Sequence, residues 1–406
     1  MLLPYATDAR STQPPLATVA LILANFTVFG IIAAVTLTRG PELPTQWFAA
    51  LSLVPASPRI QTVLTYCLLH EDVFHLSANM LFVWVFGGPV EEDVGWQRFL
   101  LLYGLAAVGS GLAQAAAARI AGTAAAEMPI IGASGAAAAL VGAFAVRYYR
   151  ASIRFIGLPV RIPAAALLAG AVAAEVVAAG LQMVRPASAA AGSWAAHSGH
   201  VAGFILGILW ARATGMPSHG QTAYLRADAA KIASDGTPMS ALRRWEEVLA
   251  KRPSDVQAHA QIALLWAVAG DREQCAEHYR SAVAGWMRNG NRQAAAETFC
   301  TIQEQLPGDD LGLTHEEALF VASGLEELGA TEQAVALLQR AAKHWNSDAA
   351  ALRACVLLLR RLHAHHRAAD GLREFLEDYP ASEWRQYAAQ MLREAEESAQ
   401  SNRSSP

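Results

Sequence analysis

Apolar residues gather into six long runs within the first 214 positions, at about 16–38, 70–90, 97–118, 130–147, 162–184 and 194–213. A helix that crosses a bilayer needs about 20 predominantly apolar residues, within a range of about 17–25, and each run fits. The pattern predicts six membrane-spanning helices. The first run follows the near-neutral "MLLPYATDARSTQPP", with no A-x-A site ahead of a globular region, so it does not read as a cleavable signal. From about Ala223 the pattern changes to helical periodicity in a polar background, with breaks near Gly236, Pro253, Gly270, Gly290, Pro307, Gly329 and Pro380.

Charge follows the same division. Residues 1–214 carry 20 charged side chains, 11 Arg and 9 Asp or Glu without a lysine, and residues 215–406 carry the other 46. So few charges could not cover a water-soluble surface, which supports a membrane half followed by a soluble half. The net charge of −4 is too small to point to nucleic acid. Cys67, Cys275, Cys300 and Cys355 lack C-x-x-C spacing, which argues against a zinc cluster and for free thiols.

The arginines orient the membrane half. Arg147, Arg150, Arg154 and Arg161 crowd the connection between the fourth and fifth runs. The connections after the first, third and fifth carry only Arg39 and Arg59, Arg119, and Arg185. Positive charge marks the cytoplasmic side, so both termini are expected inside, as six spans require. The second, fourth and sixth runs then start at the outer face, and each has polar residues early: His70, His75 and Asn79; Ser134; His197 and His200. At about 1.5 Å rise per residue, Ser134 is expected about 6–8 Å below the start of its helix, with His200 at a similar depth. A lone polar residue in a span is often a helix–helix hydrogen-bond partner. Convergence at one depth points instead to a functional cavity.

Four motifs stand in order along these runs: H-x-x-x-N at His75–Asn79, "FGGPVEEDVG" closing the second run, "GASG" at 132–135 and "HVAGFILG" at 200–207. Together, over about residues 16–213, they resemble the rhomboid family of intramembrane serine proteases. The chemistry is consistent with the resemblance, because peptide hydrolysis needs a nucleophile, a base and donors for an oxyanion. The resemblance implies Ser134 as nucleophile and His200 as base. Spacing alone does not separate His200 from His197, three residues away, but the following glycines match the family's H-x-x-G-x-x-x-G from His200. The oxyanion donors would be the Ser134 backbone N–H with Asn79 and His75, which share a helix face at i and i+4. No acidic residue accompanies His200 in its own run, so a dyad is expected rather than a triad.

Gly132, Gly135, Gly203 and Gly207 are expected to allow close packing at the site, with Ala136–Ala139 and Gly142 completing the contact. Two positions depart from the family pattern. Ala138 stands where an aromatic ring often supports the base, and "PRIQTVLTY" replaces a loop that commonly holds a Trp-Arg pair. Glu175 has no evident partner and reads as a buried interhelical hydrogen bond, and Glu91 as a tie between helix ends. The rival metalloprotease reading of "HEDVFH" fails on spacing: His70 and His75 are five apart, whereas the zinc motif needs i and i+4.

In the soluble half, Gly236, Gly270, Gly290, Gly329 and His363 each lead a small, a large and a third apolar residue at fixed offsets. These are Ala241, Trp245 and Val248; Cys275, Tyr279 and Ala282; Ala295, Phe299 and Ile302; Ala334, Leu338 and Ala341; and Ala368, Leu372 and Phe375. The 34-residue step resembles tetratricopeptide repeats, although Gly270 to Gly290 is too short for a full unit. Such units stack because none buries its apolar face alone. "RRLHAHHRA" reads as a solvated loop.

The reading is thus an all-α protein: a cytoplasmic segment 1–15, a six-span protease domain 16–213, a linker 214–222, a cytoplasmic helical-repeat domain 223–396 and a disordered tail 397–406. It would cleave transmembrane proteins near their outer juxtamembrane segment with no cofactor or metal, and the repeats would recruit a protein or peptide partner. Its place would be a bacterial inner membrane. The alternative is an inactive rhomboid-like adaptor that binds clients without cutting them.

Overall fold

The computed structural model describes residues 3–9, 11, 13–183, 193–236, 238–308 and 311–401. The chain divides into two compact units, Met1–Gln221 and Thr222–Pro406. In the first, β1 (Pro4–Thr7) precedes α1 (Leu16–Arg39), α2 (Glu42–Leu51), α3 (Thr62–Thr65), α4 (Val73–Val94), α5 (Trp96–Ala121), α6 (Thr123–Ala126) and α7 (Ser134–Arg147). Strands β2 (Ser152–Phe155) and β3 (Leu158–Pro163) follow, then α8 (Ala164–Met183) and α9 (Ser193–Ala213).

A helix stands at each of the six apolar runs, but among the described residues only α1, α4, α5 and α8 are long and apolar enough to cross a membrane by length and composition. Helix α7 has 14 residues, and α9 is diluted by His197, His200 and Arg212. The shortness of α7 corrects the expected depth of the serine. The chain before it runs extended, with Leu53 and Ile130 exchanging backbone hydrogen bonds of 3.1 and 2.9 Å. It then turns through Gly132 at φ +104°, so Ser134 opens the helix instead of lying a turn or more inside it. His70 is likewise not helical. Helix α4 starts at Val73, where the Asp72 carboxylate accepts from the backbone N–H groups of Phe74 and His75, each at 2.8 Å. The two histidines therefore do not share a helix, and the spacing argument against a His70–His75 metal pair does not apply. Their rings meet edge to face, with centroids 5.2 Å apart.

The sequence pattern missed a small antiparallel sheet of order β1–β2–β3. It joins residues 4–7 to the arginine-rich connection, with Arg154 opposite Arg161 across β2 and β3. Arg185 lies outside the described residues.

Glu91 ties helix ends together as expected. Helix α1 starts without a side-chain cap of its own, and Glu91 of α4 supplies one. One carboxylate oxygen accepts from the Ala17 N–H at 2.9 Å, and the other accepts from the Thr18 N–H and hydroxyl, both at 2.8 Å. A carboxylate at a helix N-terminus satisfies orphan donors and favours the dipole.

The tightest crossing joins α7 to α9. A Cβ on Gly203 would stand 2.2 Å from the Gly135 carbonyl oxygen, one on Gly207 2.0 Å from that of Ala139, and one on Gly142 2.5 Å from that of Phe204. Only glycine permits such backbone-to-backbone contact. Gly135 also presses on α5, where a Cβ would meet Ser110 Oγ at 2.2 Å. Ser110 itself lies 3.3 Å from the Tyr66 hydroxyl, which donates to the Ala107 carbonyl at 2.6 Å.

Helix α10 (Met216–Ser234) occupies most of the segment read as a linker. The second unit, from Thr222, holds the rest of α10 and then α11 (Pro238–Lys251), α12 (Val256–Ala269), α13 (Arg272–Asn289), α14 (Arg292–Gln305) and α15 (His315–Glu327). It ends with α16 (Thr331–Trp345), α17 (Asp348–Arg360), α18 (His365–Asp378) and α19 (Arg385–Ser401). The tail read as disordered from 397 is helical to Ser401, and 402–406 lie outside the described residues. All fifteen periodic positions are buried, from Ala241, Trp245 and Val248 to Ala368, Leu372 and Phe375. They lie on α11, α13, α14, α16 and α18. The short Gly270–Gly290 interval means that α14 follows α13 directly, without an intervening helix of the other kind. Gly270, Gly290 and Gly329 adopt positive φ, and His363, 34 residues after Gly329, does so too at +49°.

Two predictions follow from this packing. Gly203→Ala should lower the detergent melting temperature by the equivalent of about 1–3 kcal/mol, because backbone must move, whereas Gly104→Ala, with nothing within 4 Å, should not. In the second unit, burial and then the neighbouring His259 ring, 3.1 Å away between Nδ1 atoms, hold His278 below the ordinary histidine range. The folded state then binds fewer protons than the unfolded, so stability is present above about pH 6.5 and falls as pH drops. Amide-exchange protection of α12 and α13, corrected for intrinsic rates, should decline on acidification and decline less in His278→Gln.

Candidate active site

Ser134 occupies the first turn of α7, where backbone N–H groups have no intrahelical acceptor and the helix dipole favours negative charge. Its Oγ–H points to His200 Nε2 of α9 at 2.9 Å. On the far side of the ring, His200 Nδ1–H donates to Glu175 Oε1 of α8 at 3.0 Å. The other carboxylate oxygen, Oε2, accepts from His197 Nδ1. This chain of partners requires the His200 tautomer with Nδ1 protonated and Nε2 free to accept.

The partner of Glu175 was not legible from spacing, because it depends on how α8 is rotated against α9. One signal was present: an ionisable residue in an apolar helix is costly unless paired, and the next run offers two histidines at i and i+3. The interhelical hydrogen bond expected of Glu175 is there, but its partners are the two histidines that compete for the role of base. His200, not His197, reaches Ser134.

Ser134, His200, Glu175 and Asn79 line one cavity of about 600 Å³ whose other walls are apolar, among them Ala138 and Phe204. Asn79 is buried, and its Nδ2 has no acceptor among the described residues. A buried donor left unpaired is costly, and this one belongs to a residue that lines the same cavity as Ser134. His75 does not line the cavity. Its ring lies against Gly132, where a Cβ would come within 3.0 Å of His75 Nε2 and 3.7 Å of Asn79 Nδ2. Gly132 is thus needed both for its positive φ and for this close approach. Of the packing glycines, Gly135, Gly203 and Gly207 set the α7–α9 contact, and Gly132 sets the approach of α4.

Ala138 offers no ring beside His200, whose Nδ1 instead meets the Glu175 carboxylate of α8. Among the described residues, one group could hold a cation: Glu175, His197 and His200, whose ligand atoms lie within 4.8 Å of one another. In the present arrangement both Nδ1 atoms of that group stand at hydrogen-bond distance from the carboxylate.

The apolar helices mark a membrane protein, and in it Ser134 and His200 meet in one cavity. Residues 57–216 match the family model of the Rhomboid domain, so the chain carries a rhomboid domain in its first unit. The family is one of intramembrane serine proteases and inactive relatives. The match starts after α1 and α2 and does not reach the helices of the second unit. A comparison with curated proteins finds no match.

Replacing Gly132 with alanine should separate His75 and Asn79 from Ser134. It should lower thermal stability by about 1–2 kcal/mol through left-handed strain, read by melting in detergent.

Proposed function

We propose that the chain is an intramembrane serine endopeptidase that cleaves transmembrane proteins near their outer juxtamembrane segment. The observation that carries this is the 2.9 Å contact of Ser134 Oγ with His200 Nε2 at a helix N-terminus, in a cavity also lined by Asn79, whose Nδ2 has no acceptor among the described residues. Serine is a weak nucleophile until a base takes its proton. On this reading His200 removes the Ser134 proton as Oγ attacks the scissile carbonyl. The developing oxyanion is met by the Ser134 N–H and Asn79 Nδ2 on the cavity wall, and the His75 ring, which packs against Gly132 outside that wall, turns in to add a third donor. His200 then passes its proton to the departing amine. A water deprotonated by His200 releases the acyl group from Ser134.

The apolar cavity suits an unwound stretch of a membrane helix. Unwinding exposes backbone groups that a bilayer leaves unsatisfied, so substrates with small or helix-breaking residues at the cut are favoured. On the reading of all six apolar runs as spans, with Arg147, Arg150, Arg154 and Arg161 on the cytoplasmic side of a bacterial inner membrane, both termini lie inside. The second unit then serves as a cytoplasmic repeat domain that recruits a substrate or partner protein.

The test is fluorophosphonate labelling of the full chain in detergent. Wild type should label, Ser134→Ala and His200→Ala should not, and His197→Ala should. Asn79→Ala should label about 10²–10³-fold more slowly. A folded wild type that does not label overturns the protease reading in favour of an inactive adaptor. Loss in His197→Ala with retention in His200→Ala overturns the choice of base.

A further inference from the structure

We infer that Glu175 is the positioning residue of the site, a carboxylate from α8 that orients His200 and turns the Ser134–His200 pair into a triad. The inference rests on the reading of Ser134 and His200 as nucleophile and base. It departs from the expectation, drawn from the sequence around His200 alone, that no acid takes part.

Three observations converge. First, Glu175 sits among alanines and valines, in "AVAAEVVAAG", on a helix with few buried residues. A carboxylate there needs compensation, and both its oxygens find it on α9: Oε1 from His200 Nδ1 at 3.0 Å, Oε2 from His197 Nδ1. Second, among the described residues no other side chain hydrogen-bonds the Nδ1 side of the base. Ala138 presents a methyl where a ring could stack, and the nearest hydroxyl on the same helix, Ser198, donates to the Ala195 carbonyl at 2.6 Å. Third, the bond to Nδ1 decides the chemistry at Nε2. A carboxylate accepts only, so it selects the tautomer with the proton on Nδ1 and leaves the Nε2 lone pair facing Ser134 Oγ–H. It also stabilises the imidazolium that forms when Ser134 is deprotonated. His197 acts on the carboxylate, fixing its plane through the second oxygen, and does not touch Ser134.

Glutamine separates orientation from bulk. The Glu175→Gln amide keeps the shape but can donate to Nδ1, which moves the imidazole proton to Nε2 and blocks acceptance from Ser134. Two readouts on the full chain in detergent test this. The first is proton NMR of histidine-¹⁵N-labelled wild type. A far-downfield Nδ1–H resonance, lost in both Glu175→Gln and His200→Gln and kept in Ser134→Ala, is expected. The second is cleavage of a membrane-spanning reporter, where Glu175→Gln should lose at least ~10²-fold in kcat with KM nearly unchanged, and Glu175→Asp should recover part of it.

A wild type without the downfield resonance overturns the inference, and so does a Glu175→Gln variant that keeps its kcat. Stoichiometric divalent metal in the purified chain, with the resonance appearing only after chelation, overturns it too by making the three residues ligands. The NMR readout needs no turnover. Failure of Ser134→Ala to abolish cleavage would strike the nucleophile assignment alone.

Discussion

Everything at the candidate site hangs on the crossing of α7 and α9. The Gly135 and Ala139 carbonyls face Gly203 and Gly207 at distances that a single Cβ would violate. That contact leaves the two helices no freedom to slide. Ser134 lies one residue before Gly135, and His200 one turn before Gly203. The hydroxyl-to-imidazole distance is therefore inherited from a backbone contact and does not depend on flexible side chains. Packed interiors respond to even one added methylene, and here a methylene would fall between backbones.

Helix length sets the depth of the chemistry. Fourteen residues rise about 21 Å, against about 30 Å of hydrocarbon, so α7 cannot reach both faces. The extended stretch through Ile130 and Gly132 covers the remainder, with its backbone paired to Leu53 and Tyr66 rather than exposed to lipid. The result is a helix N-terminus, with its unpaired N–H groups and positive dipole end, beneath a protein cover. A serine in the middle of a longer helix would have its own N–H consumed by the helix ladder. Opening the helix is what leaves that donor for an oxyanion.

What the sequence revealed was what local pattern can carry. Apolar runs located the helices of the first unit, because burial in lipid demands unbroken apolar stretches. The fixed offsets from glycine located the buried face of the second unit, down to His363 taking a left-handed glycine's place. Ser134, His200 and Asn79 stood out because polar groups in apolar runs are costly. The start of α7 was misplaced because an extended apolar segment and an apolar helix have the same composition. The sheet was missed because β1 is four residues long, and its pairing with β2 spans about 150 residues of chain. Glu175 was seen but left unpartnered, since no periodicity within α8 reports the rotation of α9.

Ala138 and Glu175 belong to one argument. A base whose ring is stacked is held in its plane but left free to choose a tautomer, whereas a base held through Nδ1 has both plane and tautomer decided by one bond. Taken alone, the absence of a ring beside His200 would suggest a loosened site and favour an adaptor. Taken with a carboxylate 3.0 Å from Nδ1, it describes a site that orients its base by another device. An adaptor would have no use for that device: it needs a folded cavity, and a half-buried carboxylate in the apolar α8 weakens a fold unless something is gained at the histidine it holds. The cost of Glu175 and the openness at Ala138 are each puzzling apart. Together they are what a protease would show if its imidazole were held by charge in place of a ring.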